Sequence, residues 1–242
     1  MAHDRIDLYV GLLDAIDTSV AFDACRAILS PAEMDRAGRF AFERHRRQYV
    51  LAHGLLRFAL SDAVPQIDPS DWYFEADRHG RPFVMGPSGA TEIYFSLSHT
   101  EGCVACAISG HQAVGVDVEL VRPRGQLLEI ARDVFSPEEI EALYRLPTGE
   151  RIDRFFHLWT LKEAYLKAEG IGLRQPLDRF SMQITSDGIG IGFGPEIDDD
   201  PQRWRFTTSL PSPAHRLAVA DGSGTEGGLP IVLHSWPPSR SA

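Results

Sequence analysis

Lysine is almost missing from this chain. Of its 24 Lys and Arg residues, two are lysine, Lys162 and Lys167, and 22 are arginine. A coding preference for arginine explains the scarcity, but not why both lysines flank one acid, Glu163. Cysteine is nearly as rare, with Cys25, Cys103 and Cys106. The last two sit three apart in the apolar run Cys103–Ile108, where a strand turns them to opposite faces. No second cysteine pair exists to complete a zinc site, so the thiols are expected to pack in a core, in a reducing, cytoplasmic compartment. No run approaches the roughly 20 apolar residues that span a bilayer. The charged start Met1-Ala2-His3-Asp4-Arg5 is unlike a signal peptide. A formal net charge of −10 argues against a general binder of nucleic acid or anionic membrane. Local basic clusters on that background then point to a small anion.

What is present reads as alternating helices and hairpins. Residues 5–13 look like a first strand. Ser30-Pro31-Ala32-Glu33 starts a helix with an N-cap serine, proline at the first position and a capping-box glutamate. A longer helix follows Arg39-Phe40 and runs through Leu60, with the basic start Arg44-His45-Arg46-Arg47. Trp72–Ala76 and His79–Val84 read as two extended segments about a turn at Gly80. Tyr94–His99 and Cys103–Ser109 form a hairpin across Thr100-Glu101-Gly102, and Val114–Val121 is the next strand.

Then the pattern repeats. Ser136-Pro137-Glu138-Glu139 echoes Ser30-Pro31-Ala32-Glu33 at a displacement of 106, and each precedes a long helix. Residues 206–211 and 215–220 echo the 95–107 hairpin. The order of elements implies an internal duplication. The expected fold is α+β, two similar halves related by a pseudo-twofold axis, each a small antiparallel sheet packed with a long helix. The halves are expected at 1–112 and 113–242, with sites in the cleft between them. The Gly-, Ser- and Pro-rich tail from Asp221 is expected to be loose, although Leu229–Leu233 could add a strand.

The second long helix carries the chemistry. At about 100° per residue, Glu163 falls within the apolar stripe of Phe156, Trp159 and Leu166, and Lys167 follows one turn later on that face. A carboxylate on an apolar stripe is costly unless paired, protonated or metal-bound. A plain Glu163–Lys167 surface pair is the simpler alternative. On the 114–121 strand, Asp117 and Glu119 share one face and Val116 and Val118 the other. Alone they could be a solvated face. With Glu163 they make three oxygen donors without His or Cys, which suits Mg²⁺ completed by phosphate oxygens. The 44–47 cluster, Arg81 and His99 would then hold phosphates.

These motifs together resemble a known family. Gly115-Val116-Asp117-Val118-Glu119, followed by Phe155-x-x-x-Trp159-x-x-Lys162-Glu163-Ala164-x-x-Lys167, looks like the signature of the 4′-phosphopantetheinyl transferase superfamily. Gly80-Arg81-Pro82, the Phe95–Thr100 segment and the two-half length resemble its Sfp-type branch. The resemblance implies transfer of 4′-phosphopantetheine from coenzyme A to a serine of an acyl or peptidyl carrier protein, with release of 3′,5′-ADP. It implies Asp117, Glu119 and Glu163 as Mg²⁺ ligands, Glu163 also as the base, and Lys167 on the diphosphate and leaving group. Arg36, Arg47, Arg81, Ser98, His99 and Lys162 fall among the coenzyme A contacts. It also implies a monomer, with no nucleic-acid or membrane partner. Two positions depart from the pattern: Gln48 stands where some members have a phosphate-binding arginine, and Glu33 where they have a lysine.

Overall fold

The computed structural model describes residues 4–13, 18–77, 81–90, 92–123, 127–171 and 175–237. The turn expected at Gly80 lies outside them. Two compact units emerge, one formed by residues 1–112 with 230–242, the other by 113–229.

In the first unit, β1 (Ile6–Leu12) is followed by three helices, α1 (Thr18–Ile28), α2 (Pro31–Gly38) and α3 (Glu43–Ala63). Ser30 caps α2 as expected: its side chain accepts from the Glu33 N–H, and Glu33 Oε2 accepts from the Ser30 N–H at 2.8 Å. Such a cap contributes about 1 kcal/mol. Next come β2 (Tyr73–Ala76), β3 (Pro82–Gly86) and β4 (Gly89–Ala90), a small antiparallel meander. The hairpin β5 (Tyr94–Thr100) and β6 (Cys103–Ser109) turns through Gly102 at φ 82°, a left-handed conformation that favours glycine. α3 and this hairpin share one core, with Tyr49, Leu55, Leu56 and Leu60 from the helix and Phe95, Val104, Cys106 and Ile108 from the strands. Cys25, Cys103 and Cys106 are free and buried, and burial pushes the Cys25 and Cys103 thiols up to about 12.

The second unit repeats the plan. β7 (Val114–Leu120) leads to α4 (Leu127–Val134), α5 (Pro137–Arg145) and α6 (Thr148–Glu169). Ser136 and Glu139 form the second capping box. α6 ends at Gly170, whose φ of 71° closes the helix in the left-handed region. The hairpin β8 (Phe180–Thr185) and β9 (Gly188–Phe193) follows, and then β10 (Arg205–Ser209) and β11 (His215–Asp221), which pairs with β7 in a sheet ordered β10-β11-β7. α6 buries Phe155, Phe156, Leu158, Leu161, Tyr165 and Leu166.

In the tail, the strand that Leu229–Leu233 could add is present, and the loose end is not: Ile231–Ser235 forms β12, which pairs in parallel with β1 and completes the order β12-β1-β6-β5. His234 Nε2 lies 2.8 Å from Asp7 Oδ1 and stacks on Tyr9 with ring centroids 4.4 Å apart. Trp236 is buried in the same core. Residues 230–242 thus belong with 1–112, because backbone pairing to β1 supplies the partners that local sequence does not show.

Candidate active site

Strand β7 and helix α6 meet at a point of very close approach. A Cβ on Gly115 would lie 1.9 Å from the carbonyl oxygen of Ala164 and 2.7 Å from the Ala168 nitrogen. No side chain fits there, so glycine at 115 lets the backbone of α6 rest on the strand. Two residues along the same strand face, Asp117 receives Lys167: Nζ donates to Asp117 Oδ1 at 2.7 Å and to the Val116 carbonyl at 3.1 Å. Asp117 is buried, while Lys167 and Glu163 are half-buried. Burial raises the Glu163 pKa, the charge of Asp117 raises it further, and Lys167 opposes both.

Asp117, Glu163 and Lys167 are therefore brought together, with Glu119 two residues along the same strand face. Among the described residues, no three His, Cys, Asp or Glu side chains form a metal cluster by themselves. That composition still fits Mg²⁺, which is commonly held by one or two carboxylates and the phosphates of a substrate rather than by an all-protein cage. Two carboxylates in each other's field, one of them with a raised pKa, also gain from a shared cation.

Lys162 departs from expectation. It is fully buried, with Nζ 2.8 Å from Glu139 Oε2 and donating to the carbonyls of Leu177 at 2.7 Å and Phe180 at 2.5 Å. It anchors α6 inside the unit.

In the first unit, Arg36 lies exposed over the Tyr49 ring, 5.8 Å from its centroid, and Arg47 lies 4.8 Å from that of Phe22. The Arg81 N–H donates to Asp77 Oδ1 at 2.9 Å and its Nη2 to the Gln112 carbonyl at 2.8 Å. Ser98 is buried on β5, whereas His99 is exposed, its Nδ1 3.1 Å from Gln48 Nε2. Gln48 thus meets the histidine directly. Glu33 is accounted for too: besides capping α2 it pairs with buried Arg57 at 2.7 Å and lies 3.2 Å from His53 Nδ1. Burial alone would raise its pKa, but hydrogen bonds from His53, Arg57 and Ser30 hold it at about 2.

Sequence reasoning missed Arg57, Glu139 and a further pair, Arg216 on β11 with Asp153 on α6. The repeat spacing could have found Glu139, since Glu33 and Glu139 are the equivalent residues of the two capping boxes.

Comparison with known proteins agrees with the motifs. Residues 113–220 match the family described as the 4′-phosphopantetheinyl transferase superfamily. The chain is 31% identical to the 4′-phosphopantetheinyl transferase Sfp of Bacillus subtilis, over 80% of this chain and 82% of that one. It is 33% identical to a phosphopantetheinyl transferase of Thraustochytrium sp., over 82% and 73%. Against the 4′-phosphopantetheinyl transferase HetI of Nostoc sp. the identity is 35%, over 66% of each. This chain is a member of the 4′-phosphopantetheinyl transferase superfamily, of the Sfp type, and an enzyme. Membership brings coenzyme A and an apo carrier protein as its substrates.

Proposed function

We propose that the chain transfers 4′-phosphopantetheine from coenzyme A to a serine hydroxyl of an apo acyl or peptidyl carrier protein, with Mg²⁺, releasing 3′,5′-ADP. The observation that carries this reading is the convergence of Asp117, Glu163 and Lys167 where α6 rests on β7. Breaking a phosphoanhydride requires charge neutralised on both phosphates, an oriented hydroxyl and an acceptor for its proton. Asp117 and Glu163, with Glu119 on the same strand face, would hold Mg²⁺, which neutralises diphosphate oxygens when bound. Glu163 takes the serine proton as the serine Oγ–phosphorus bond forms and the bond from phosphorus to the 3′,5′-ADP oxygen breaks. Without the cation, burial and the charge of Asp117 raise the Glu163 pKa, which favours its taking up a proton. Lys167 stabilises the negative charge that accumulates on the departing 3′,5′-ADP.

Arg36, Arg47, Arg81, Ser98 and His99 are assigned to the coenzyme A nucleotide, Arg36 and His99 from exposed positions. The three buried, free thiols are in keeping with a cytoplasmic enzyme. We assign it a monomeric state. No helix among the described residues is long and apolar enough to cross a membrane.

The test is the intact mass of apo carriers from fatty-acid, polyketide and nonribosomal-peptide systems after incubation with the enzyme, coenzyme A and Mg²⁺. A gain of one phosphopantetheine on the serine of a carrier, abolished by EDTA, is expected. Consumption of coenzyme A with no carrier modified would sink the assignment in favour of hydrolysis.

A further inference from the structure

The last turn of α6 is held by an arginine that the proposed reaction does not use. Arg203 ends the 3₁₀ turn Pro201–Arg203, which Asp200 caps by accepting from the Gln202 N–H at 2.9 Å. Its guanidinium reaches separate segments of the chain. Nη2 donates to Glu169 Oε1 at 2.5 Å, at the end of α6, and Nε to Asp199 Oδ1 at 2.6 Å. Nη1 donates to the carbonyl of Gly222, just past β11, at 3.1 Å. Asp199 Oδ2 also accepts from Trp204 Nε1 at 2.9 Å and from the hydroxyl of Tyr165, on α6, at 3.4 Å. The Gly222 N–H donates to the carbonyl of Ala113, next to the start of β7, at 2.8 Å. The arginine fork therefore joins the C-terminal turn of α6 to the end of the sheet where β7 begins. The Arg203 side chain is 31% exposed and that of Glu169 26%, so the pair is screened less than a surface pair and stands within a network.

Lys167 lies in that same turn, and its flexible stem carries Nζ to Asp117 at 2.7 Å. The contact of Gly115 with Ala164 and Ala168 sets how closely helix and strand approach. Backbone resting on backbone does not by itself fix how far the helix slides or turns. Lys162 fastens α6 earlier, to Glu139 and the carbonyls of Leu177 and Phe180. The Glu169–Arg203 bond fastens the final turn, where helices otherwise fray. We propose that Arg203 is a positioning residue for the reaction: through Glu169 it holds the last turn of α6 where Lys167 meets Asp117 and the substrate diphosphate. The inference rests on the role assigned to Lys167 above.

The scarcity of lysine supplies the probe. Lys162 and Lys167 are the only two, so isotope-labelled lysine gives one side-chain ammonium signal in nuclear magnetic resonance for each, assigned with Lys167→Arg. The whole chain would be compared with Arg203→Met, with Glu169→Ala and with the control Arg179→Met, which removes the exposed pair with Glu196. Arg203→Met and Glu169→Ala are each expected to move the Lys167 signal and leave that of Lys162 in place. In carrier modification they should lower kcat roughly tenfold or more, with KM for the carrier unchanged. Arg179→Met should do neither. The proposal alone is overturned by a Lys167 signal that stays in place in both variants, or by a kcat that does not fall. It is equally overturned if both lysine signals move together with a lowered melting temperature, the mark of a merely structural role, or if Arg179→Met has the same effect. Near-normal carrier modification by Lys167→Met overturns it together with the role assigned to Lys167.

Discussion

In α3 a buried arginine, and in α6 a buried lysine, meets the glutamate that caps the preceding short helix. Arg57 pairs with Glu33 and donates to the carbonyls of Pro69 and Trp72; Lys162 pairs with Glu139 and donates to those of Leu177 and Phe180. In each unit one carbonyl lies in a 3₁₀ turn, Pro69–Asp71 or Leu177–Arg179, and the other on the residue that follows it, at the entry to a hairpin. One cation therefore ties short helix, long helix and hairpin together in each unit, and the device is scaffold in both. The units part at the strand facing the long helix. In the first, Tyr9 Oη donates to Asp62 at 2.5 Å and Gly11 is covered by Trp236. In the second, the corresponding strand and helix carry Asp117, Glu119, Glu163 and Lys167. The repeated frame supplies position, and the residues to which we assign the chemistry lie on one copy.

That comparison can be broken at the anchors first. Lys162→Met leaves Glu139 buried without its cation, and Arg57→Met does the same to Glu33. Each is expected to cost about 3–5 kcal/mol of stability, because an uncompensated buried charge remains. Chemical denaturation of the two variants checks this. A small loss in Lys162→Met would return that lysine to the ligand-contact role expected from sequence.

A smaller effect separates the same anchors by pH. The Glu33 pKa is depressed to about 2 from the usual 4.5, so its stabilisation is present above 4.5 and is lost as pH falls towards 2. Burial raises the Glu139 pKa instead, against the pull of Lys162, so that group adds no stability that acid would remove over this window. Hydrogen exchange between pH 4.5 and 2 should therefore show α2 and the adjoining turn of α3 losing protection before α5. The opposite order would contradict the depressed Glu33 pKa as the source of the acid sensitivity.

Local signals were legible in the sequence. Both capping boxes, the turn at Gly102, the stop at Gly170 and the shared face of Asp117 and Glu119 depend on spacings of a few residues. The two-half α+β plan followed from their repetition. What escaped needed partners distant in the chain. A strand in the tail could be read from Leu229–Leu233, but its partner could not: β12 is tied to β1 across nearly the whole sequence. Lys162 adjoins Glu163 in sequence, yet about 100° of helical rotation sends it to Glu139 rather than towards Asp117. Arg216 shows its relation to Glu119 only through strand register.

The measurement that bears most directly on the central claim is the single-turnover rate of carrier modification by Glu163→Gln, which keeps the shape of the side chain and removes its charge. A fall of roughly 10²-fold or more, with coenzyme A still bound, is expected if the carboxylate serves as base and cation ligand. A near-normal rate would remove Glu163 from the mechanism and contradict the placing of the chemistry where α6 meets β7.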